Sequence, residues 1–526
     1  MTASPQNPSK AWNAPLPKAF YTYFIFLTFG ILGCCVYSPS LFHVPRADHI
    51  FYLAETAGRE GWPSLALDAY DLNRTRSFCP GDELLFRPLF YVWLGTARYL
   101  FGYSFELWQA AGIFLHLLTV WCLWRLLRKI RGGVFASMFA AFFLVLTLNN
   151  EMVVWAHVQG YMLWMALTLA ALGQYYSIIQ EKYGRPWRAV WLVLLLGTAD
   201  FFYEFGLGVA VILFCDLTAR SREVRVPLGV RLGILFPVAL YVLWSLGNLL
   251  LTTSGQWSTP GTAYKISAVI PNLIKSNYWW VTQGLFTPDL QFVWDGGRLS
   301  FLVSKNLLHL LGGYSSLLYS AAWIAVGGMG VLFLESRRHR GPMRSGRVWG
   351  VFAILIIGYS AAVVLGRINF YNVDFLMRRS YYGYFFWAFF LVFMYSLTDP
   401  DDSRAHQRGW RILTAAAVSL LIIGNAGLTF ATNLRQARES REERRLLQTV
   451  ESFVAGHPQN RPFSFFVPDG YPGNSGLPPV YLRGDPLPKT YSSIEALYWP
   501  YFDRKTPLFI LQAGDQWYDV SQERLQ

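Results

Sequence analysis

The sequence predicts an all-α polytopic membrane protein of about eleven transmembrane helices, followed by a small extracytoplasmic α/β domain. Three observations predict it. The 526 residues are 53% hydrophobic and 17% aromatic with only 15% charged, whereas soluble domains carry roughly a quarter of charged residues. Apolar runs of about 20 residues, the length that crosses a bilayer as a helix, recur along most of the chain. The basic residues fall in short clusters in alternate connections between those runs, so the net charge of +13 reports orientation in a lipid bilayer and not nucleic acid binding.

The first span, Phe20–Ser38, follows a polar leader and lacks a small-residue cleavage site, which makes it a retained anchor. The next five are Glu106–Leu127, Val134–Leu148, Tyr161–Ile178, Ala189–Phe201 and Phe205–Leu217. The last two of these also suit a single re-entrant hairpin. Leu232–Leu251, Ser315–Leu334, Val348–Gly366, Tyr382–Leu397 and Ile412–Thr432 complete the set. Lys10 and Lys18 precede the first span, and Arg125, Arg128, Lys129 and Arg131 follow the second. Further clusters lie at Lys182–Arg188, Arg220–Arg231, Arg337–Arg347 and Arg404–Arg411. Because cytoplasmic loops are the basic ones, the N-terminus is expected inside and the chain after Thr432 outside.

That orientation sorts the connections by size. Within the membrane domain, residues 1–432, the large loops 39–105 and 252–314 fall on the outer side, and "NYWWVTQGLF" (Asn277–Phe286) reads as an interfacial helix along the headgroups. Residues 433–526 begin with the charged helical stretch "RQARESREERRLLQTV" and continue with two strand-like runs, "PFSFFVPDGYPGN" and "TPLFILQAG", the basis for the α/β domain. The cysteines Cys34, Cys35, Cys79, Cys122 and Cys215 show no metal-ligand spacing.

"RADHIFYL" (Arg46–Leu53) places Arg46, Asp48 and His49 just beyond the first span. An acid there faces a cavity or water; it equally suits a helix N-cap, with Arg46 as a headgroup contact. Further acids near outer span ends are Asp82 and Glu83 in "PGDELLFRPL", Glu151 in "EMVVW" and Glu204 in "DFFYEFGLG", with His157 close by. Ionisable groups at such depths face an interior cavity or one another.

Four stretches carry a resemblance. "FRPLFYVWLGTARYLFG" (Phe86–Gly102), "EMVVW" (Glu151–Trp155), "DFFYEFGLGVAVILFCDL" (Asp200–Leu217) and "RRSYYGYFF" (Arg378–Phe386) resemble, in this order, segments of the GT-C superfamily of membrane glycosyltransferases. The likeness is strongest to the protein O-mannosyltransferase-like branch and to its transmembrane relatives with tetratricopeptide repeats, although no such repeats follow here. The small tail favours a bacterial member, placed in the inner membrane. The family often carries a paired acid after the first span, whereas here His49 follows Asp48.

The resemblance implies a GT-C-like fold and an inverting transfer, on the outer face, from a polyprenyl-phosphate-linked sugar donor to a hydroxyl of a glycan, lipid or protein acceptor. The chemistry needs a carboxylate to take the acceptor proton and cations for the departing phosphate. Asp48 is the candidate base. Arg378 and Arg379, beside Tyr381 and Tyr382 at the outer end of a span, are the candidate phosphate ligands, with Arg87 and Lys275 as second choices. Arg87 also suits a pairing with Asp82 or Glu83, and Glu204 one with Arg379. No cofactor is expected; a divalent metal on Asp48, Glu151 and His157 remains an alternative. Two other functions compete, a lipid-linked oligosaccharide flippase or transporter, which calls for discontinuous helices, and an O-antigen-type ligase or polymerase.

Overall fold

A computed structural model of the protein describes residues 18–43, 61–67, 87–102, 104–130, 134–181, 185–221, 224, 226–251, 269–286, 290–295, 298–303, 346–363, 380–397, 405–455, 463–466, 508–513 and 516–519. The described chain is predominantly helical. Each expected span falls on a helix except Ser315–Leu334, which lies outside the described residues. Four helical stretches, Phe20–Phe42, Phe105–Ile130, Ala156–Gln180 and Ile412–Arg438, are long and apolar enough to cross a membrane; a fifth joins Val134–Val145 to Thr147–Val154 through a 50° bend. Shorter apolar helices, such as Phe205–Ala219 and Tyr382–Ser396, accompany them.

In chain order the helices are α1 (Lys18–Tyr37), α2 (Pro88–Phe101), α3 (Phe105–Ile130), α4 (Val134–Val145), α5 (Asn150–Val154), α6 (Gln159–Gln180), α7 (Pro186–Asp200), α8 (Phe205–Ala219), α9 (Leu228–Leu251), α10 (Val269–Phe286), α11 (Gly346–Val363), α12 (Ser380–Leu397) and α13 (Ala405–Ala455). Proline opens α2 and α7 at their first positions, where no backbone N–H is needed. At the bundle centre α3 packs on α6 and α6 on α7, while α12 lies against α3, α10 and α11. Helices in lipid gain nothing from hiding apolar groups from tails that are equally apolar, so close side-chain packing holds them together. The wholly buried Trp108, Trp124, Trp164, Trp280 and Trp387 provide it.

The third expected span ends differently from its hydropathy. After α4 the chain turns through a 3-10 segment, Thr147–Asn149, into the single-turn α5 and a second 3-10 segment, Ala156–Val158, before α6 starts. Breaking a helix there frees backbone groups that need partners. Gln109 of α3 donates to the Val154 carbonyl at 2.8 Å, Gln159 donates to the Trp108 carbonyl at 2.7 Å, and Asn149 donates to the Phe143 carbonyl at 2.7 Å. Asn425 of α13 accepts from the Thr147 N–H at 3.1 Å. Gly112 makes the approach of α3 possible, because a Cβ there would stand 2.3 Å from the Val153 carbonyl oxygen.

Helix α13 runs unbroken for 51 residues, about 75 Å at 1.5 Å per residue. It passes through the expected boundary between residues 432 and 433 without interruption. The described part of the tail beyond it has three strands, β3 (Phe463–Phe466), β4 (Leu508–Ala513) and β5 (Gln516–Asp519), with β4 central, parallel to β3 and antiparallel to β5. Within loop 252–314, strands β1 (Leu290–Asp295) and β2 (Arg298–Val303) form an antiparallel pair.

The helix expected along the headgroups packs on the bundle through one face. Trp280 of α10 is 1% exposed, and its carbonyl accepts from the indole of Trp387 at 2.8 Å. Ser360 of α11 donates to Asn277 at 2.9 Å. Ser276, Asn277 and Trp280 lie on one face of the helix by their spacing of three and four, which gives α10 a polar-aromatic side to pack inward.

Candidate functional site

Helix direction alternates, so side chains at helix ends separate into two groups. One end of the bundle collects Arg128, Lys129, Arg188 and Arg220. The other end holds the start of α2, the broken segment 147–158, the α7–α8 junction and the start of α12. The second end carries Glu151, Asp200 and Glu204.

Arg87 stands at the N-cap of α2 and is 3% exposed. Its Nε and Nη2 both donate to the carboxylate of Glu204, from the α7–α8 junction, and Nη1 donates to the Tyr161 hydroxyl of α6 at 2.9 Å. The guanidinium also lies over the ring of Tyr203, 4.9 Å from its centroid, and 5.7 Å from that of Tyr161. Phe90 stacks on Tyr161 at 4.7 Å, and the Leu89 N–H donates to the Phe201 carbonyl at 3.2 Å, fixing α2 to the junction. Planar, fork-on-fork geometry is what an arginine offers a carboxylate. Burial opposes the charge on Arg87, but Glu204, backed by Tyr161, holds its pKa well above the ordinary arginine range. Burial, with Glu204 beside it, raises the Tyr203 phenol well above the usual tyrosine value.

A second acid lies on the inner side of the same junction. Asp200, the last residue of α7, is 2% exposed, and neither of its carboxylate oxygens has a hydrogen-bond partner among the described residues. The indole N–H of the wholly buried Trp164 is likewise without one. Both groups converge on Gly206 at the start of α8, where a Cβ would come within 2.1 Å of Asp200 Oδ1 and 2.9 Å of Trp164 Nε1. Aromatic rings close the surroundings: Trp164 meets Tyr203 at 5.3 Å and Phe385 of α12 at 4.8 Å, both edge-on. Outside the junction, Pro88, Leu89, Phe201, Leu240, Leu243 and Trp244 line an apolar groove of about 520 Å³.

Among the site residues read from the sequence, the structure brings Arg87 and Glu204 together. Glu204 pairs with Arg87, which has a carboxylate partner in it; Arg379, the partner expected for Glu204, lies outside the described residues. As a phosphate ligand, Arg87 would first have to release part of that fork. Tyr382 is buried, with its carbonyl accepting from the Tyr359 hydroxyl at 3.0 Å. Glu151 and His157 are half-buried on the broken segment, His157 with its ring 5.5 Å from that of Trp155. Arg46, Asp48, His49, Asp82, Glu83, Arg378 and Arg379 lie outside the described residues, as do the side chains of Lys275 and Tyr381. The described chain reaches His43, whose Nε2 is 2.9 Å from the Asn433 carbonyl of α13, five residues before Asp48. No group of three His, Cys, Asp or Glu side chains suited to a metal occurs among the described residues; Glu151 and His157 are among those, Asp48 is not.

Sequence reasoning missed Asp200, Trp164, Tyr161 and Tyr203. The signal for Asp200 was present in "DFFYEFG", where an acid precedes by six residues a glycine in the first turn of the next helix. Tyr161 and Tyr203 had no such signal in a chain with 30 tyrosines. Comparison with protein-family models finds none that matches this chain, and a search of curated proteins finds no match to it either.

Proposed function

We propose that the protein is an inverting glycosyltransferase of the GT-C type, moving a sugar from a polyprenyl-phosphate-linked donor to an acceptor hydroxyl at the outer membrane face. One observation carries the reading. The four sequence stretches that resemble GT-C enzymes meet at a single end of the bundle: Arg87 of the first binds Glu204 of the third, Tyr203 of the third meets Phe385 of the fourth at 5.7 Å, and α5, from the second, packs on α12, from the fourth. Segments that far apart in sequence converge where an active site is built, and the basic residues gather at the opposite end, which the positive-inside rule assigns to the cytoplasm.

In this reading about eleven helices span the inner membrane of a bacterium, with the N-terminus inside and the α/β tail outside. Asp48 takes the proton of the acceptor hydroxyl as its oxygen attacks the anomeric carbon. The donor phosphate departs with the bonding electrons, stabilised by Arg378 and Arg379 at headgroup height. As a weak base, it needs no strong general acid. The Arg87–Glu204 pair, with Tyr161 and Tyr203, braces the helix ends around the cavity, and the groove beside Leu89 and Trp244 borders it on the membrane side.

The broken span gives the flippase reading one supporting observation, since transporters place their sites at discontinuous helices. A reconstitution separates the two. Purified protein in detergent micelles, with no compartments to cross, is given polyprenyl-phosphate donors carrying radiolabelled sugars and a panel of envelope glycan, lipid and peptide acceptors. A transferase releases the polyprenyl phosphate and labels an acceptor. Label that never leaves the donor in micelles, but changes leaflet in vesicles, would replace the transferase with the flippase.

A further inference from the structure

We infer that the seam between α1 and α3 at the basic end of the bundle binds an anionic phospholipid, its phosphate against Arg125 and Arg128 and an acyl chain along the exposed face of α1. The last turns of α3 carry Arg125, Arg128 and Lys129. Carboxylates at this end are already engaged, Glu181 by Arg188 at 2.8 Å and Asp216 by Arg220 at 2.6 Å. Neither Arg125 nor Arg128 has a carboxylate within ion-pair distance among the described residues. Lys129 is held by the Gly173 carbonyl at 2.9 Å and the Ser177 hydroxyl at 3.0 Å, and the charges acting on it are repulsive Arg125 and Arg188 and attractive Glu181. Among the described residues Arg125 and Arg128 are a surplus of cations, which an anion would relieve.

Topology alone asks for positive charge at this end, not for a guanidinium held in place. Arg128 is held. Its Nη1 donates to Thr22 of α1 at 3.0 Å, and its guanidinium lies against two rings, 5.6 Å from the centroid of Tyr21 and 5.2 Å from that of Trp124. With its face covered by the rings, the remaining edge N–H groups are left for the oxygens of a phosphodiester, which a planar fork matches. Arg125, exposed and one turn earlier on the same helix, flanks that edge. Above it, Phe26 of α1 meets Trp121 of α3 edge-on at 5.3 Å and floors the seam. From Phe20 through Tyr23, Phe24 and Leu27 to Ile31, α1 shows an exposed apolar strip that starts level with Arg128 and runs away from it. Cationic edge and apolar strip are arranged as the headgroup and chain of a phospholipid are, and juxtamembrane basic residues attract anionic lipids.

The full-length protein, purified in a neutral detergent and stripped of native lipid, is titrated with phosphatidylglycerol, phosphatidylcholine or inorganic phosphate, and thermal unfolding and lipid retention by native mass spectrometry are read. Phosphatidylglycerol should raise the melting temperature and stay bound, phosphatidylcholine should do so far less, and high salt should erase the difference. Arg128→Gln should weaken phosphatidylglycerol binding by roughly tenfold, the usual loss for one charge-assisted contact. Where that variant inserts poorly, Arg128→Lys keeps the charge and loses the fork, and a severalfold loss is expected. Equal effects of the two lipids, full stabilisation by inorganic phosphate alone, or unaltered phosphatidylglycerol binding in both variants would overturn the inference.

Discussion

Arg87 and Glu204, 117 residues apart in the chain, form a bidentate ion pair that ties the first turn of α2 to the junction between α7 and α8. The arginine side chain is 4% exposed and the glutamate 17%, so removing one partner strands the other charge out of water. Glu204→Gln or Arg87→Met should each cost about 3–5 kcal/mol of stability, whereas the double replacement should cost clearly less than the two combined. Thermal unfolding of the four proteins in one detergent measures this. Strict additivity would mean that the pair is not coupled as its geometry requires.

Gly206 offers a sharper contrast within one helix. A Cβ at this position meets Asp200 Oδ1 at 2.1 Å, while one at Gly208, a half-turn on, meets nothing within 4 Å. Gly206→Ala should therefore destabilise by about 1–3 kcal/mol through overpacking, and Gly208→Ala should be neutral or stabilising through its better helix propensity. Comparison of their melting temperatures checks it. A shorter side chain at residue 200 makes room, so Asp200→Ala should recover part of the loss at Gly206→Ala.

Span positions were legible because hydropathy over about 20 residues is a local property, and α3 and α6 begin and end within a few residues of where the apolar runs place them. The break after Val145 was not, since "FFLVLTLNNEMVVW" stays largely apolar across it; side chains from distant helices, Gln109, His116, Asn425 and Thr429 among them, satisfy the turned backbone. Continuity of α13 past residue 432 could have been read. No Gly or Pro occurs between Gly427 and Gly456, and the helix ends at Ala455, just before that glycine and Pro458. At the site, acids near span ends pointed to Glu204, but its partner was set by the approach of the start of α2 to the α7–α8 junction in three dimensions, which no local pattern encodes. The role of Asp48 rests on position after the first span and on resemblance alone.

The orientation proposed from charge is testable by reporters. Fusions after Arg131 and after Arg340 are expected to score as cytoplasmic. The outer fusion belongs beyond Ala455, because an insertion at Asn433 would interrupt α13, where that side chain is buried and its carbonyl is close to His43. A cytoplasmic score beyond Ala455 would put the end of the bundle with Arg87 and Glu204 inside and remove outer-face transfer.

In the proposed mechanism Asp48 is the acceptor base. Asparagine keeps the size and most of the hydrogen bonds of aspartate but cannot take a proton, so Asp48→Asn should slow transfer by about two to four orders of magnitude with donor binding preserved. Arg379→Ala should show the opposite split. It removes the charge-assisted contact proposed for the donor phosphate, and at least roughly a tenfold loss of donor affinity is expected. Measuring donor binding and transfer on both variants, with thermal unfolding to confirm that each is folded, separates base from phosphate ligand. Near wild-type transfer by Asp48→Asn would refute its role and move the search to Asp82→Asn and Glu83→Gln. Activity in all three would leave the mechanism without an acceptor base, and the flippase, already favoured by the bend between α4 and α5, would become the better reading.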